Sequence, residues 1–147
     1  MTLCFCLRYN RARSALRWLE KAFGFSPRWV VEGPGPEGVT HAQLVLGTAM
    51  LMVASATDDP NGTTQVAPRD VGGVTATAYI VIDDVDAHHA RAVAAGAEIV
   101  APPEDQDYGG RHYCCRDPEG HLWSFGSYDP WAPVLDQRSS SSIYGED

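Results

Sequence analysis

Arg8, Tyr79, Arg111 and Tyr113 are the polar side chains best placed for recognition, because each falls in an alternating segment that reads as a β-strand. An arginine facing a ligand can hold a carboxylate or phosphate through two parallel hydrogen bonds. A tyrosine offers a stacking face and a phenolic donor, and an aromatic contact is worth about 0.5–1.5 kcal/mol beyond the area it buries. The competing readings are wall packing for the tyrosines and ion pairs with Asp105, Asp107 or Asp117 for the arginines. By strand parity the same side carries Cys4, Cys6, His41, Gln43, Met52, Thr77, Cys115 and Ser124. Cys4, Cys6, His41 and Cys115 would form a soft thiolate–imidazole metal set if they converged. Small thiols filling a narrow face is the preferred reading, since parity gives direction and says nothing of distance. None of the four cysteines, Cys114 included, forms a C-x-x-C pair, and in a reducing compartment all are free thiols. His88 and His89 are adjacent on a helix and diverge, so they read as helix surface rather than a chelating pair.

Those residues need strands to hold them, and the clearest is the hairpin around Asp117-Pro118-Glu119-Gly120. Proline presets φ and glycine tolerates the positive φ of a tight turn. A four-residue turn pairs Arg116 with His121, Cys115 with Leu122, Cys114 with Trp123 and Tyr113 with Ser124. One face then carries Cys114, Trp123 and Phe125, fit for a core. The other carries Arg111, Tyr113, Cys115, Leu122 and Ser124, fit for a ligand, and His112 and His121 fall on the side away from it.

The surrounding elements repeat. Strand 2–9, helix 10–23 and strands 27–32, 40–46 and 49–55 are followed by a linker over 56–73. Strand 75–82, a helix from Asp83 or Asp84 to about Ala95, and strands 97–101, 111–116 and 121–128 come next. Gly24 and Gly96 end the helices. The interval from Gly24 to Met52 equals that from Gly96 to Ser124, and Cys4 precedes Gly24 by one residue more than Thr77 precedes Gly96. The spacing predicts two βαβββ modules, about 2–56 and 74–128, in one domain over 1–128. The fold class is α+β: a curved mixed sheet with the helices on its outer face. Residues 129–147, with Pro130, Pro133 and four consecutive serines, read as a flexible tail or a dimer arm.

Composition excludes several functions. With 147 residues, 44% hydrophobic and 20% charged, the chain has the make-up of an ordinary globular protein. A net charge of −8 opposes nucleic-acid binding, which relies on clustered Lys and Arg. No apolar run reaches membrane-span length, and the amino terminus lacks the pattern of a secretory signal, so a cytoplasmic location is expected.

The paired modules, the helix closures Ala22-Phe23-Gly24-Phe25 and Ala95-Gly96-Ala97-Glu98, and the Asp117-Pro118-Glu119-Gly120 hairpin together resemble the vicinal oxygen chelate superfamily, most closely its glyoxalase, bleomycin-resistance and dioxygenase group. The resemblance covers about residues 2–128. It implies a homodimer and, in metal-dependent members, ligands on the first and last strand of each module. The matching positions here are Cys4, Met52 (less well Met50), Thr77 and Ser124. Methionine and hydroxyls are poor ligands for the divalent ions concerned, and Ser124 stands where such enzymes carry a glutamate. No metal and no cofactor are therefore expected. The resulting expectation is a metal-independent small-molecule-binding protein of the bleomycin-resistance type, sequestering an antibiotic or secondary metabolite through Arg8, His41, Gln43, Met52, Thr77, Tyr79, Arg111, Tyr113 and Ser124. The alternatives are a metal-dependent lyase, isomerase or dioxygenase with displaced ligands, and a catalytically silent interaction module.

Overall fold

The alternating and helical patterns resolve into eight strands and three helices over residues 1–56 and 65–133, the part of the chain that the computed structural model describes. The first module contains β1 (Phe5–Tyr9), α1 (Ala12–Phe23), β2 (Ser26–Glu32), β3 (Val39–Leu46) and β4 (Ala49–Ser55). After α2 (Pro68–Val71) the second contains β5 (Ala78–Val81), α3 (Val85–Ala94), β6 (Glu98–Asp105), β7 (Arg111–Arg116) and β8 (Leu122–Gly126). Each module forms a four-stranded mixed sheet, ordered β1-β4-β3-β2 and β5-β8-β7-β6. The first strand of each runs parallel to the last, and the other pairs are antiparallel. This is the α+β arrangement of two βαβββ units that the repeated intervals predict. The segment expected as a linker holds α2, and the rest of it, 57–64, lies outside the described residues, as does the tail beyond Pro133.

One apolar core lies beneath the helices and joins both sheets. On α1, Ala12, Ala15, Leu16, Leu19, Ala22 and Phe23 recur at helical spacing and are all buried. Phe23 reaches across the module boundary, with ring centroids 5.2 Å from Trp123 and 4.7 Å from Phe125. Leu7, Tyr9, Leu44, Leu51, Val53 and Tyr113 belong to the same cluster.

The helix ends are satisfied across the same boundary. No side chain of α1 caps its own amino terminus, and α1 begins at Ala12 rather than at residue 10. Instead the Glu119 carboxylate accepts from the Asn10 and Arg11 amides at 2.6 and 3.0 Å. Glu37 accepts from the Ser14 amide at 2.9 Å. Carboxylates belong there, where unpaired N–H groups and the helix dipole favour negative charge. At the other end Arg91 of α3 donates to the Lys21 and Glu20 carbonyls, each at 2.8 Å. Gly24 is required at this point, since its φ is +85° and a Cβ would meet the Arg91 guanidinium at 2.9 Å. Trp18 returns the favour by donating its indole N–H to the Ala95 carbonyl at the end of α3, 2.8 Å away.

Asp117 is the buried polar centre of the closing hairpin, with 1% of its surface exposed. Its carboxylate accepts from the Tyr9 hydroxyl at 2.6 Å, the Trp123 indole at 3.1 Å, and the Glu119 and His121 amides at 3.0 and 3.1 Å. Burial first, and then the Asp117 charge, pushes the Tyr9 phenol well above its usual pKa, so Tyr9 remains a donor.

The same carboxylate corrects the expected register. Asp117 draws the His121 amide inward, and the turn takes one more residue than the four expected. Arg116 therefore pairs with Leu122, Cys115 with Trp123, Cys114 with Ser124 and Tyr113 with Phe125. A slip of one residue exchanges the faces of a strand. Tyr113 and Cys115 consequently lie fully buried on the helix side with Trp123 and Phe125, while His112, Cys114 and Arg116 turn to the opposite side. His121 is also buried: its ring lies 4.7 Å from that of Tyr9 and its Nε2 donates to the Arg8 carbonyl at 2.9 Å, on the edge of β1.

Candidate functional site

The face of each sheet away from the helices carries the remaining candidates. On the first sheet, pairing sets Cys6 and Gln43 on either side of Met52. Arg8, His41 and Met52 line a cavity of about 140 Å³ together with Cys6, Ala54 and Gln65. Arg8 is held there by its own bonds, from Nη1 to the Ser55 carbonyl at 3.2 Å and from Nε to Gln65 Oε1 at 3.4 Å. Gln43 joins through its amide nitrogen, 3.3 Å from His41 Nε2. His41 Nε2 is thereby the acceptor, since an amide NH₂ can only donate.

Trp29 completes this wall. It pairs with Gln43 across the β2–β3 ladder, and its ring stands edge-on to His41 at 5.5 Å. It is 56% exposed, an unusual state for a tryptophan with no core to enter. The sequence signal was present in the alternation of Trp29 and Val31 with Val30. Assigning faces to β2 would have found it.

On the second sheet, Tyr79 and Ser124 lie side by side in the parallel β5–β8 ladder. The Tyr79 ring stacks on His112 at 6.2 Å and its hydroxyl donates to the Tyr128 carbonyl at 2.7 Å. Gly126 leaves room for this, because a Cβ there would meet the Tyr79 hydroxyl at 2.5 Å. Burial, aided by Tyr108 and Tyr128, raises the Tyr79 pKa and keeps the hydroxyl a donor. Thr77 donates to the Leu122 carbonyl at 2.8 Å. His112, expected on the other side, is thus an aromatic member of this face.

Two expected ligand residues lie elsewhere, for the reason given by the shifted register. Arg111 reaches the amino terminus of α3, where Nε meets Asp86 at 3.1 Å and Nη1 meets Asp105 at 3.0 Å. The expected alternative of pairing with Asp105 therefore holds for Arg111. Tyr113 donates to His88 Nδ1 at 2.6 Å beneath α3. His88 Nε2 donates to the Phe23 carbonyl at 3.0 Å, which fixes the neutral tautomer. Burial lowers the pKa of this imidazole. His88 thus links both helices to β7 rather than lying idle on a helix surface. Cys115 faces the same core, and burial pushes its thiol up to about 12. It cannot join Cys4, Cys6 and His41 in a thiolate set.

The four family metal positions do not fit a divalent ion. In register Met52 lies beside Cys6 rather than Cys4, and Ser124 beside Tyr79 rather than Thr77. A thioether and two hydroxyls supply neither the charge nor the basicity such ions require. Among the described residues no group of three His, Cys, Asp or Glu side chains is placed to hold a metal ion, and no helix is long and apolar enough to cross a membrane.

Two four-stranded mixed sheets, each with one helix-covered face and one open polar–aromatic face, define a paired-module βαβββ protein. The model of the glyoxalase/bleomycin resistance protein/dioxygenase superfamily matches residues 3–125, and the chain belongs to that superfamily. An uncharacterized protein of Mycobacterium bovis is 36% identical over 116 residues, covering 78% of this chain and 75% of the relative. The crystal structure of TioX from Micromonospora sp. ML1 is similar with a TM-score of 0.69 and 33% identity, over 86% of this chain and 97% of TioX. Lactoylglutathione lyase from Agrobacterium tumefaciens shares the fold, with a TM-score of 0.59 and 18% identity over 86% of this chain and 92% of that one.

Proposed function

We propose that this protein binds an organic small molecule on the open faces of its sheets without a metal ion, in the manner of a bleomycin-resistance-type binder of an antibiotic or secondary metabolite. The observation that carries the reading is the wall of Trp29, His41, Gln43 and Met52, which combines an exposed indole with a few oriented polar groups. A recognition site needs that mixture, whereas a hydrolytic or lyase site needs a positioned base or metal. Thr77, Tyr79 and Ser124 provide the corresponding wall of the second sheet, with Arg8 as the cation.

The cavity beside Met52, about 140 Å³, is smaller than the roughly 300–1,000 Å³ that encloses a drug-sized molecule. A homodimer that apposes open faces would enlarge it, and the protein acts as a cytoplasmic dimer in this reading. Sedimentation at micromolar concentration tests the dimer. Metal analysis of protein purified without chelator, combined with thermal shifts across antibiotics and metabolites, tests the binding mode. A ligand at a hundredfold excess over Kd stabilises by about 2.7 kcal/mol. Stoichiometric zinc, nickel, iron or manganese, or ligand shifts that vanish with chelator, would refute the metal-independent reading.

A further inference from the structure

We infer that the cavity between α2 and the closing hairpin is an oxyanion site, taking the carboxylate or phosphate group of a small molecule through Arg116 and Arg69. The cavity measures about 360 Å³ and is lined by Pro68, Arg69, Gly72, Gly73, Val74, Arg116 and Gly120. None of the residues in the proposed organic-ligand walls lines it, so the two sites can fail separately.

Arg116 is the unusual member. Most arginines described here are tied down: Arg11 to Glu37, Arg13 to Glu32, Arg91 to the end of α1, and Arg111 to Asp86 and Asp105. Arg17 and Arg28 have no such tie but are exposed on the surface. Arg116 is half-buried, and while its backbone pairs within the β6–β7–β8 ladder, its guanidinium has no hydrogen-bond or ion-pair partner among the described residues. Glu98 faces it across the β6–β7 ladder, yet the Glu98 carboxylate lies against Arg69 at 3.6 Å. A partly desolvated guanidinium without an anion is costly in any protein, and more conspicuous in one whose net charge is −8.

The second cation is already oriented. Arg69 Nε donates to the Pro118 carbonyl at 2.8 Å, and the Arg69 amide donates to the Glu119 carbonyl at 3.2 Å. These bonds pin α2 to the hairpin, and the Arg69 stem rests against Gly120, where a Cβ would meet its Cγ at 3.0 Å. The glycines of the lining leave open space: nothing lies within 4 Å of the positions a Cβ would take at Gly72 and Gly73. Two arginines, one with a free guanidinium and one pre-positioned, lining one cavity with side-chain-free glycines, suit a planar carboxylate or a phosphate oxygen pair.

The test is a titration of ¹⁵N-labelled protein with inorganic phosphate, and separately with acetate, at constant ionic strength maintained with chloride. Saturable movement of the Arg116 Nε–Hε signal is expected with at least one anion. Response to phosphate alone identifies a phosphoryl ligand; response to acetate identifies a carboxylate. Arg116→Gln weakens binding by about tenfold or more, as expected for losing a charge-assisted pair. Gly73→Leu fills the cavity with Arg116 intact and should do the same, which keeps the test valid if the arginine variant folds poorly. Arg17→Gln should change nothing. No saturable response beyond chloride, or wild-type affinity in Gly73→Leu, would overturn the assignment.

Discussion

The two sides of the sheets differ in how their polar groups are used. Beneath the helices, Tyr9, Asp117, Trp123, His88 and Tyr113 are buried or half-buried and each bonds another member of the fold. On the open side Trp29 and Tyr79 remain exposed, and His41 meets the Gln43 amide at 3.3 Å and the Trp29 ring at 5.5 Å. The first side spends its chemistry on joining two modules; the second bonds its polar groups locally, Arg8 to Ser55 and Gln65, Thr77 to Leu122 and Tyr79 to Tyr128, and leaves the Trp29 ring exposed. Residues of the same types therefore differ in meaning according to the face they occupy, and substitutions on the two sides should separate stability from binding.

The largest effect is expected from Trp123→Ala, which removes a fully buried indole in contact with Phe5, Phe23 and Phe25. Destabilisation of about 3–5 kcal/mol is expected in urea unfolding. Asp117→Ala comes next. It strands the Tyr9 hydroxyl, the Trp123 indole and two backbone amides, and about 3 kcal/mol should be lost. A loss below about 1 kcal/mol would show that water replaces the carboxylate and that the hairpin is not the joint described.

A smaller effect concerns pH. The lowered pKa of His88 means that the unfolded chain takes up the proton first as pH falls. Its contribution is therefore complete above the ordinary value of 6.5 and is lost as pH falls from there through the folded pKa. Melting temperature followed from pH 7.5 to 5 should fall more in the wild type than in His88→Gln. Equal slopes would remove His88 from the account. Smallest in stability is Trp29→Ala, an exposed site where a change within about 0.5 kcal/mol is expected.

Much of the fold was legible because it rests on local signals. Gly24 and Gly96 punctuate equal modules, and the apolar spacing of α1 marks its buried face without reference to anything distant. The candidate site was legible on β1, β3, β4 and β5, where simple alternation decides direction. It failed on β7 because a single buried carboxylate lengthened a turn, and one residue of slip sent Arg111, Tyr113 and Cys115 to the other side. The donors that draw Asp117 inward include Tyr9 and Trp123, one of them more than a hundred residues away in sequence. The capping of α1 by Glu37 and Glu119 was hidden for the same reason. Long-range hydrogen bonds leave no periodicity to read.

The most direct test of the open-face account is a thermal-shift screen of antibiotics and metabolites run in parallel on wild type and Trp29→Ala, with chelator present throughout. The account predicts at least one compound that raises the wild-type melting temperature by several degrees and loses most of that shift in the variant. Ligands that stabilise both proteins equally, or none that stabilises the wild type without added metal, would contradict it.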